Sequence, residues 1–326
     1  MARRCFVGID LGGTNLKGGV VDEDRRVLCK VSIPTEAEDG PDHVIELMAA
    51  LVERVIDQAG LTKAGIEAVG IGSPGSMSHT HGIIIKPPNL PGWENVPLRD
   101  RIRDLTDLPT TLENDANAAA WGEFWAGAGR GTRHMVMFTL GTGVGGGIIT
   151  NGRLLRGHFD NGAELGHMII QPGGRPCGCG QKGCLEAYAS ASYTARRATE
   201  AVEAGERSSL AEVLKAKGEI TSEDVVNAAS AGDALAARIF DETCMYLAVA
   251  CVNMQHAINP ERILMAGGMI HAGEDVLLKP IRQKAAEMTW KAADDLPEIM
   301  FATLGNDAGL IGAAGAAWLA REEGEI

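Results

Sequence analysis

The chain has 326 residues, 45% of them apolar and 22% charged, and its 43 acidic against 30 basic side chains leave a formal net charge of −13. That balance excludes a disordered chain, and the length suffices for two hydrophobic cores. So negative a surface also argues against a nucleic-acid partner, so an anionic ligand must be met by local backbone N–H groups.

The opening MARRCFVGIDLGG carries two arginines, but Asp10 interrupts the apolar run before it reaches the length of a secretory signal. The tract Gly309–Ala320 is short and rich in Gly and Ala, the composition of a buried helix rather than a membrane span. The expectation is a cytoplasmic protein without a membrane partner, whose seven cysteines favour metal over disulfides.

In chain order, Cys5–Asp10, Lys17–Asp22 and Val27–Ile33 read as three strands parted by the turn compositions Gly-Gly-Thr-Asn and Glu-Asp-Arg. Apolar residues at helical spacing (Val44, Leu47, Met48, Leu51, Val55) predict a helix over about Asp42–Ala59. A strand over Ala68–Gly72 leads into Ser73-Pro74-Gly75. After Pro-rich turns, a strand ends near Glu113 and a helix runs over roughly Ala116–Ala126. Thr139–Leu155 (TLGTGVGGGIITNGRLL) then echoes Asp10–Leu28 (DLGGTNLKGGVVDEDRRVL): a strand, a Gly/Thr turn, a glycine-laden second strand and a third. This reads as an internal repeat in which two β-rich units each open a domain, against the alternative of two unrelated glycine hairpins. Leu185 to about Asn259 is mainly helical, a strand over Arg262–Ala266 runs into Gly267-Gly268 and another helix, and Ala308–Arg321 is the last helix. Strands and helices in this order predict an α/β fold.

The strongest local signal is His167 with Cys177, Cys179 and Cys184, four N/S donors within eighteen residues. That set suits tetrahedral zinc, and Gly178, Gly180 and Gly183 let the backbone fold the sulfurs together. No position is left open for an activated water, so the expected metal is structural. Two Gly/Thr turns, Gly12-Gly13-Thr14 and Gly141-Thr142-Gly143, each follow a strand and offer N–H groups and a hydroxyl as a phosphate cradle. Neither a P-loop nor the protein-kinase motif set occurs. Asn114-Asp115 lies between a strand and a helix. Local composition makes Asp115 the helix N-cap, while a functional role would make it a proton acceptor for a substrate hydroxyl. Asp10 reads either as a Mg²⁺ ligand through water or as an ordinary turn aspartate.

Taken together, DLGGTNLKGGVVD, GIGSPG, NLPGW, ENDANAAAWGE, TLGTGVGGGII, GAELGH, CGCGQKGCLEAYAS and AGG resemble the ROK family of sugar kinases, with matching blocks from residue 7 to about 268. The resemblance implies two actin-like, hexokinase-like (ribonuclease H-like) α/β domains with a central cleft. They would be a small N-terminal domain of residues 1–117 plus the C-terminal helix 308–326, and a larger domain of residues 118–307 with a zinc-binding loop at 167–184. It implies ATP-dependent phosphorylation of a hexose 6-hydroxyl, with glucose favoured by NLPGW over fructose, N-acetylglucosamine or N-acetylmannosamine. Gly12, Gly13 and Thr14 would form one phosphate loop and Gly141, Thr142 and Gly143 the other, with Gly267 and Gly268 against the adenosine. Asp10 would assist Mg²⁺, and Asp115 would be the general base. The sugar would lie among Ser73, Gly75, Asn89, Asn114, Glu164, His167 and Glu186. A homodimer or dimer of dimers is also implied. The family includes sugar-binding transcriptional regulators, but they carry an N-terminal helix-turn-helix for which a first strand at about residue 5 leaves no room.

Overall fold

The computed structural model describes residues 3–87, 90–290 and 296–326. The chain opens with strands β1 (Cys5–Leu11), β2 (Asn15–Asp22) and β3 (Val27–Pro34) and helix α1 (Gly40–Gln58). There follow β4 (Ile66–Ser73), β5 (Ser76–Ser78), β6 (Ile83–Lys86), α2 (Leu98–Thr106), β7 (Thr110–Asn114) and α3 (Asp115–Ala126). Next come β8 (Met135–Leu140), β9 (Val144–Thr150) and β10 (Arg153–Leu154), then the helical run α4 (Glu186–Ala189), α5 (Ala191–Glu203), α6 (Leu210–Lys217), α7 (Ser222–Ser230) and α8 (Ala234–Ile258). The chain ends with β11 (Arg262–Ala266), α9 (Lys279–Met288), β12 (Glu298–Phe301) and α10 (Ala308–Glu323).

Two five-stranded sheets share one topology. The first is ordered β3-β2-β1-β4-β7 and the second β10-β9-β8-β11-β12. In each, three antiparallel strands are followed by two parallel ones. The two echoing segments fall on equivalent strands: Asp10–Leu28 covers the end of β1 through β3, and Thr139–Leu155 the end of β8 through β10. Parallel neighbours need a crossover, which places helices on the sheet faces.

Three cores result. Helix α1 buries Val44, Met48, Leu51 and Val55 on the first sheet, together with Leu90 and Trp93 of the NLPGW segment. The helices after residue 185 cover the second sheet, with Leu247, Ala248 and Cys251 of α8 fully or nearly buried. Between the sheets, α3 and α10 pack together with Phe6, Trp121, Met137, Ile149 and Leu310. Helix α10 also lies directly on β1 and β4. This seam is built for close approach: a Cβ at Gly312 would collide with the Ala118 carbonyl of α3, and one at Gly70 with the Ala313 carbonyl of α10. Gly312→Ala is therefore expected to lower stability by about 1–3 kcal/mol, because neither backbone can retreat. Urea unfolding monitored by tryptophan fluorescence reads this directly.

Helix α3 is pinned at its far end by Glu123, a fully buried carboxylate. It accepts hydrogen bonds from the N–H groups of Ala128 (2.8 Å), Thr303 (2.8 Å) and Leu304 (2.6 Å). A helix held this way presents its first residue, Asp115, from a rigid base.

Candidate active site

The parallel strands β1, β4 and β7 end along one edge of the first sheet, in the register Asp10 beside Gly72 and Ser73 beside Asn114. In the second sheet β8 runs into Gly141 and β11 into Gly267 at the corresponding edge. Strand ends at such a crossover are where α/β sheets open a crevice. Here an open cavity of about 500 Å³ is lined from the first sheet by Gly75, Asn114 and Asp115, and from the second by Gly141, Gly143 and Gly267. Glu164, His167 and Glu186 close the same cavity. Nine of the residues singled out from sequence thus converge on one space.

The local structure corrects one reading. Asn114, not Asp115, is the N-cap of α3: its side-chain oxygen accepts from the N–H groups of Ala116 (3.0 Å) and Asn117 (3.1 Å). Asn114 has the extended backbone of a cap, and Asp115 is already the first helical residue. The Asp115 carboxylate accepts from Ala116 N–H, at 2.8 Å. Its pKa is raised above the ordinary aspartate value, chiefly by loss of hydration in the cleft, with the charges of Asp10 and Glu164 pushing the same way and Ala116 N–H pulling back. Asp10 is likewise raised by burial, partly offset by Lys17, whose Nζ stands 3.6 Å away. Asp115 lines the cavity and Asp10 stands near enough for its charge to act on Asp115, two carboxylates whose pKa values are both raised by lost hydration.

Ser73 is a second correction. It is fully buried at the end of β4, its hydroxyl donating to the Pro74 carbonyl at 3.4 Å, and the cavity is lined by Pro74, Gly75 and Ser76 instead. Gly75 has φ 87°, and a Cβ there would strike Pro87. Asn89 lies outside the described residues.

Gly12, Gly13 and Thr14 form the β1–β2 turn, where the Gly12 carbonyl accepts from the Thr35 hydroxyl (2.6 Å) and the Thr14 carbonyl from Thr35 N–H (3.0 Å). Gly13 and Thr14 are exposed, and this turn does not line the cavity itself. Thr142 is exposed at the tip of the corresponding β8–β9 turn. Gly268 lines a neighbouring pocket of about 260 Å³ with Ser222, Glu223, Asn227 and His271, adjoining the main cavity through Gly267. Sequence reasoning missed Lys86 and Thr139, which also line the main cavity. Lys86 directly precedes the Pro87–Trp93 segment, and Thr139 is the penultimate residue of β8, just before the second Gly/Thr turn.

Beside the cavity, His167, Cys177, Cys179 and Cys184 bring one donor atom each within 4.8 Å of all the others. Cys179 Sγ is 3.7 Å from Cys184 Sγ, and Cys177 Sγ is 3.8 Å from His167 Nδ1. Metal–sulfur bonds of about 2.3 Å at tetrahedral angles separate neighbouring ligands by about 3.5–3.8 Å, so the donor set fits a tetrahedral cation of zinc's size. Gly180 (φ 88°) and Gly183 (φ 86°) take the left-handed conformations that turn the loop back on itself. Glu186 ties this cluster to the cleft. One carboxylate oxygen accepts from Val144 N–H at 3.0 Å, next to the second Gly/Thr turn, and the other from the Cys177 thiol at 3.6 Å.

This is a two-lobed α/β phosphotransferase fold with a carboxylate-rich cleft, and the comparisons make it specific. The family model described as "ROK family" matches residues 6–323. A glucokinase of Halalkalibacterium halodurans is 40% identical over 324 residues, covering 99% of this chain and 97% of that protein. The ROK hexokinase of Thermus thermophilus superposes with a TM-score of 0.84 at 36% identity, covering 98% of this chain and 99% of that one. A ROK glucokinase of Streptomyces griseus, solved with glucose and AMPPNP, gives 0.78 at 34% identity over 97% of this chain and 99% of that one. The chain belongs to the ROK family.

Proposed function

We propose that this protein is an ATP-dependent glucokinase that transfers the γ-phosphoryl group of ATP to the 6-hydroxyl of glucose, with Asp115 as its base. The observation that carries the assignment to these residues is the convergence of Asp115, Asn114, Glu164, His167 and Glu186 on one cavity beside two Gly/Thr turns.

Vicinal hydroxyls are bound by directional acceptors and donors, which the carboxylates of Glu164 and Glu186, the Asn114 amide and the His167 ring supply. Asp115 accepts the proton of the 6-hydroxyl as its oxygen bonds to the γ-phosphorus, and the bond from that phosphorus to the bridging oxygen breaks to release ADP. Phosphoryl transfer needs mainly position and charge neutralisation. The Gly12–Thr14 and Gly141–Gly143 turns hold the phosphates through their N–H groups, and the Gly267–Gly268 turn and its neighbouring pocket receive the adenosine. Asp10 would be the residue to hold Mg²⁺, which would supply charge neutralisation at the phosphoryl oxygens when bound with ATP. Among the described residues Lys86 is the one lysine or arginine lining the cavity, and Lys17 is already drawn to Asp10, so a divalent cation would be the natural counterion for the phosphates.

We assign His167, Cys177, Cys179 and Cys184 to a structural zinc. With Nδ1 on the metal, the other ring nitrogen of His167 is free to meet a sugar hydroxyl. The two lobes are proposed as residues 1–117 with 308–326, and 118–307. Among the described residues no helix is long and apolar enough to cross a membrane. A cytoplasmic homodimer or dimer of dimers completes the reading, on family resemblance.

The test is kcat/KM from ADP release over glucose, fructose, N-acetylglucosamine and N-acetylmannosamine. Glucose is expected to lead, and a higher value for either N-acetyl sugar would reassign the pocket.

A further inference from the structure

Glu113 ends strand β7 immediately before Asn114 and Asp115, and its side chain is only 2% exposed. It does not line the cavity, so it touches neither substrate. A carboxylate this buried is unfavourable unless its oxygens are engaged, and both are. One oxygen accepts from the backbone N–H of Asn114 at 3.1 Å and from the side-chain amide of Asn117 at 3.2 Å. The other accepts from Nε of Arg156 at 2.8 Å. Glu113 therefore grips the first turn of α3 from behind, on the side away from the cleft.

Arg156 comes from the other half of the chain. It follows β10 and starts the connection that ends at Glu164 and His167. That connection closes on itself, since Gly162 N–H donates to the Arg156 carbonyl at 2.7 Å, so Arg156 sits at the foot of the segment bearing Glu164. The excursion between them, residues 157–161, reaches the end of β5 in the first half of the chain. The Asp160 carboxylate accepts from His79 N–H at 2.9 Å and from the Ser78 hydroxyl at 3.4 Å. His79 in turn lies against the end of β7, with its Nδ1 2.7 Å from the Leu112 carbonyl. Two anchors, one buried and ionic and one at the surface, thus fasten the Glu164 segment to the strand end that carries the base.

We propose that Glu113 and Arg156 are a positioning pair: they set the distance across the cleft between Asp115, which takes the proton, and Glu164, which holds the sugar. This rests on the glucokinase reading above. The chemistry is specific. Glu113 acts on Asp115 through Asn114 and Asn117, and Arg156 acts on Glu164 through the closed loop, so the 2.8 Å contact is the buried link between the two constellations, beside the Asp160–His79 contact. An ion pair serving stability alone would not distinguish one substrate from the other. A positioning pair would, because ATP is held by turns neither residue touches.

The experiment is steady-state kinetics on Arg156→Met, Arg156→Lys, Glu113→Gln and the Glu113→Gln/Arg156→Met double variant, with amide hydrogen exchange on the same samples. A misplacement on the order of 1 Å can lower turnover about 10²-fold, so Arg156→Met and Glu113→Gln should lower kcat about 10- to 100-fold and raise the glucose KM, with the ATP KM within about twofold of the parent. Arg156→Lys, which keeps the charge, should recover part of the loss. The double variant should be about as impaired as either single one, because the contact can be lost only once. Exchange should rise at Ala116, Asn117 and residues 157–163 in the absence of either substrate, a readout that survives even if the parent acts on another sugar. If the Met variant does not fold, the Lys variant and its exchange pattern carry the test. Folded variants with all three constants and the exchange pattern unchanged overturn the proposal. So does a parallel rise of the glucose and ATP KM values. A parent without turnover on any sugar would instead remove the glucokinase reading, and the exchange data would still decide the coupling.

Discussion

Asp115→Asn is expected to lower kcat by about 10²- to 10⁴-fold, the usual contribution of a general base. The substitution keeps size and hydrogen-bonding shape. Ala116 N–H retains an oxygen to donate to, and the helix cap is untouched because the cap is Asn114. Glucose affinity should change by no more than about tenfold, since one neutral hydrogen bond replaces a charged one at a single hydroxyl. The stability change separates the two roles further. Loss of hydration raises the Asp115 pKa, so the folded state holds its proton more tightly than the unfolded chain does. As pH rises from the ordinary aspartate value through the raised one, the ionising carboxylate therefore subtracts from stability, and the cost is complete only above the raised value. Asp115→Asn should thus be as stable as the parent or more so at pH 7, with the difference vanishing at acid pH. In the parent, kcat/KM should fall as pH drops through the raised pKa, where the base becomes protonated. Calorimetric glucose affinity, kcat and thermal midpoints at several pH values read these together. A variant with near-normal turnover would leave Asp115 without a catalytic role.

The second large effect is expected at the metal cluster. Purified protein should carry about one zinc per chain, since four N/S donors at tetrahedral spacing leave little alternative. Cys179→Ser should release it and raise the glucose KM at least about tenfold, the scale seen when groups supporting a metal site are lost. Cys179 is the exposed cysteine of the set, so its replacement leaves the hydrophobic core intact. Its effect on glucose must then travel through His167, a ligand lining the cleft, and through the chain from Cys184 to Glu186, whose carboxylate accepts from the Val144 N–H beside the second phosphate turn. The thermal midpoint should fall in the same variant. Metal analysis showing active, folded parent protein without a bound metal would remove both the site and this route.

Much of the frame was legible because it rests on local chemistry. Strands β1 to β3 are parted by turns no other composition would make, and α1 shows its apolar stripe at helical spacing. The echo of Asp10–Leu28 in Thr139–Leu155 marked the repeated sheets, and the cysteine cluster declared its four donors by spacing alone. Other elements were invisible for physical reasons. Helix α2 is nine residues of mostly charged side chains that bury only Leu98, Ile102 and Thr106, too narrow a stripe to stand out. Strands β5 and β6 form a small sheet of their own, and β12 is four residues long. The exchange of roles between Asn114 and Asp115 turned on a one-residue shift of the helix start, which either side chain could have supported. Ser73 looked like a loop residue beside Pro74, yet the strand runs one residue further and buries it. Glu113 and Arg156 stand 43 residues apart in the chain. Nothing local in either residue reveals a partner that only the packing of two sheets brings near.

The central claim is that this cleft moves a phosphoryl group from ATP to one particular oxygen of glucose, and the most direct measurement is phosphorus-31 NMR of the product formed from glucose, ATP and Mg²⁺. The account predicts equal amounts of ADP and glucose 6-phosphate, with the phosphorus coupled to the two hydrogens on C6, and no sugar phosphate from Asp115→Asn on the same timescale. Phosphate on another carbon, or ADP with free inorganic phosphate and unchanged glucose, would contradict it.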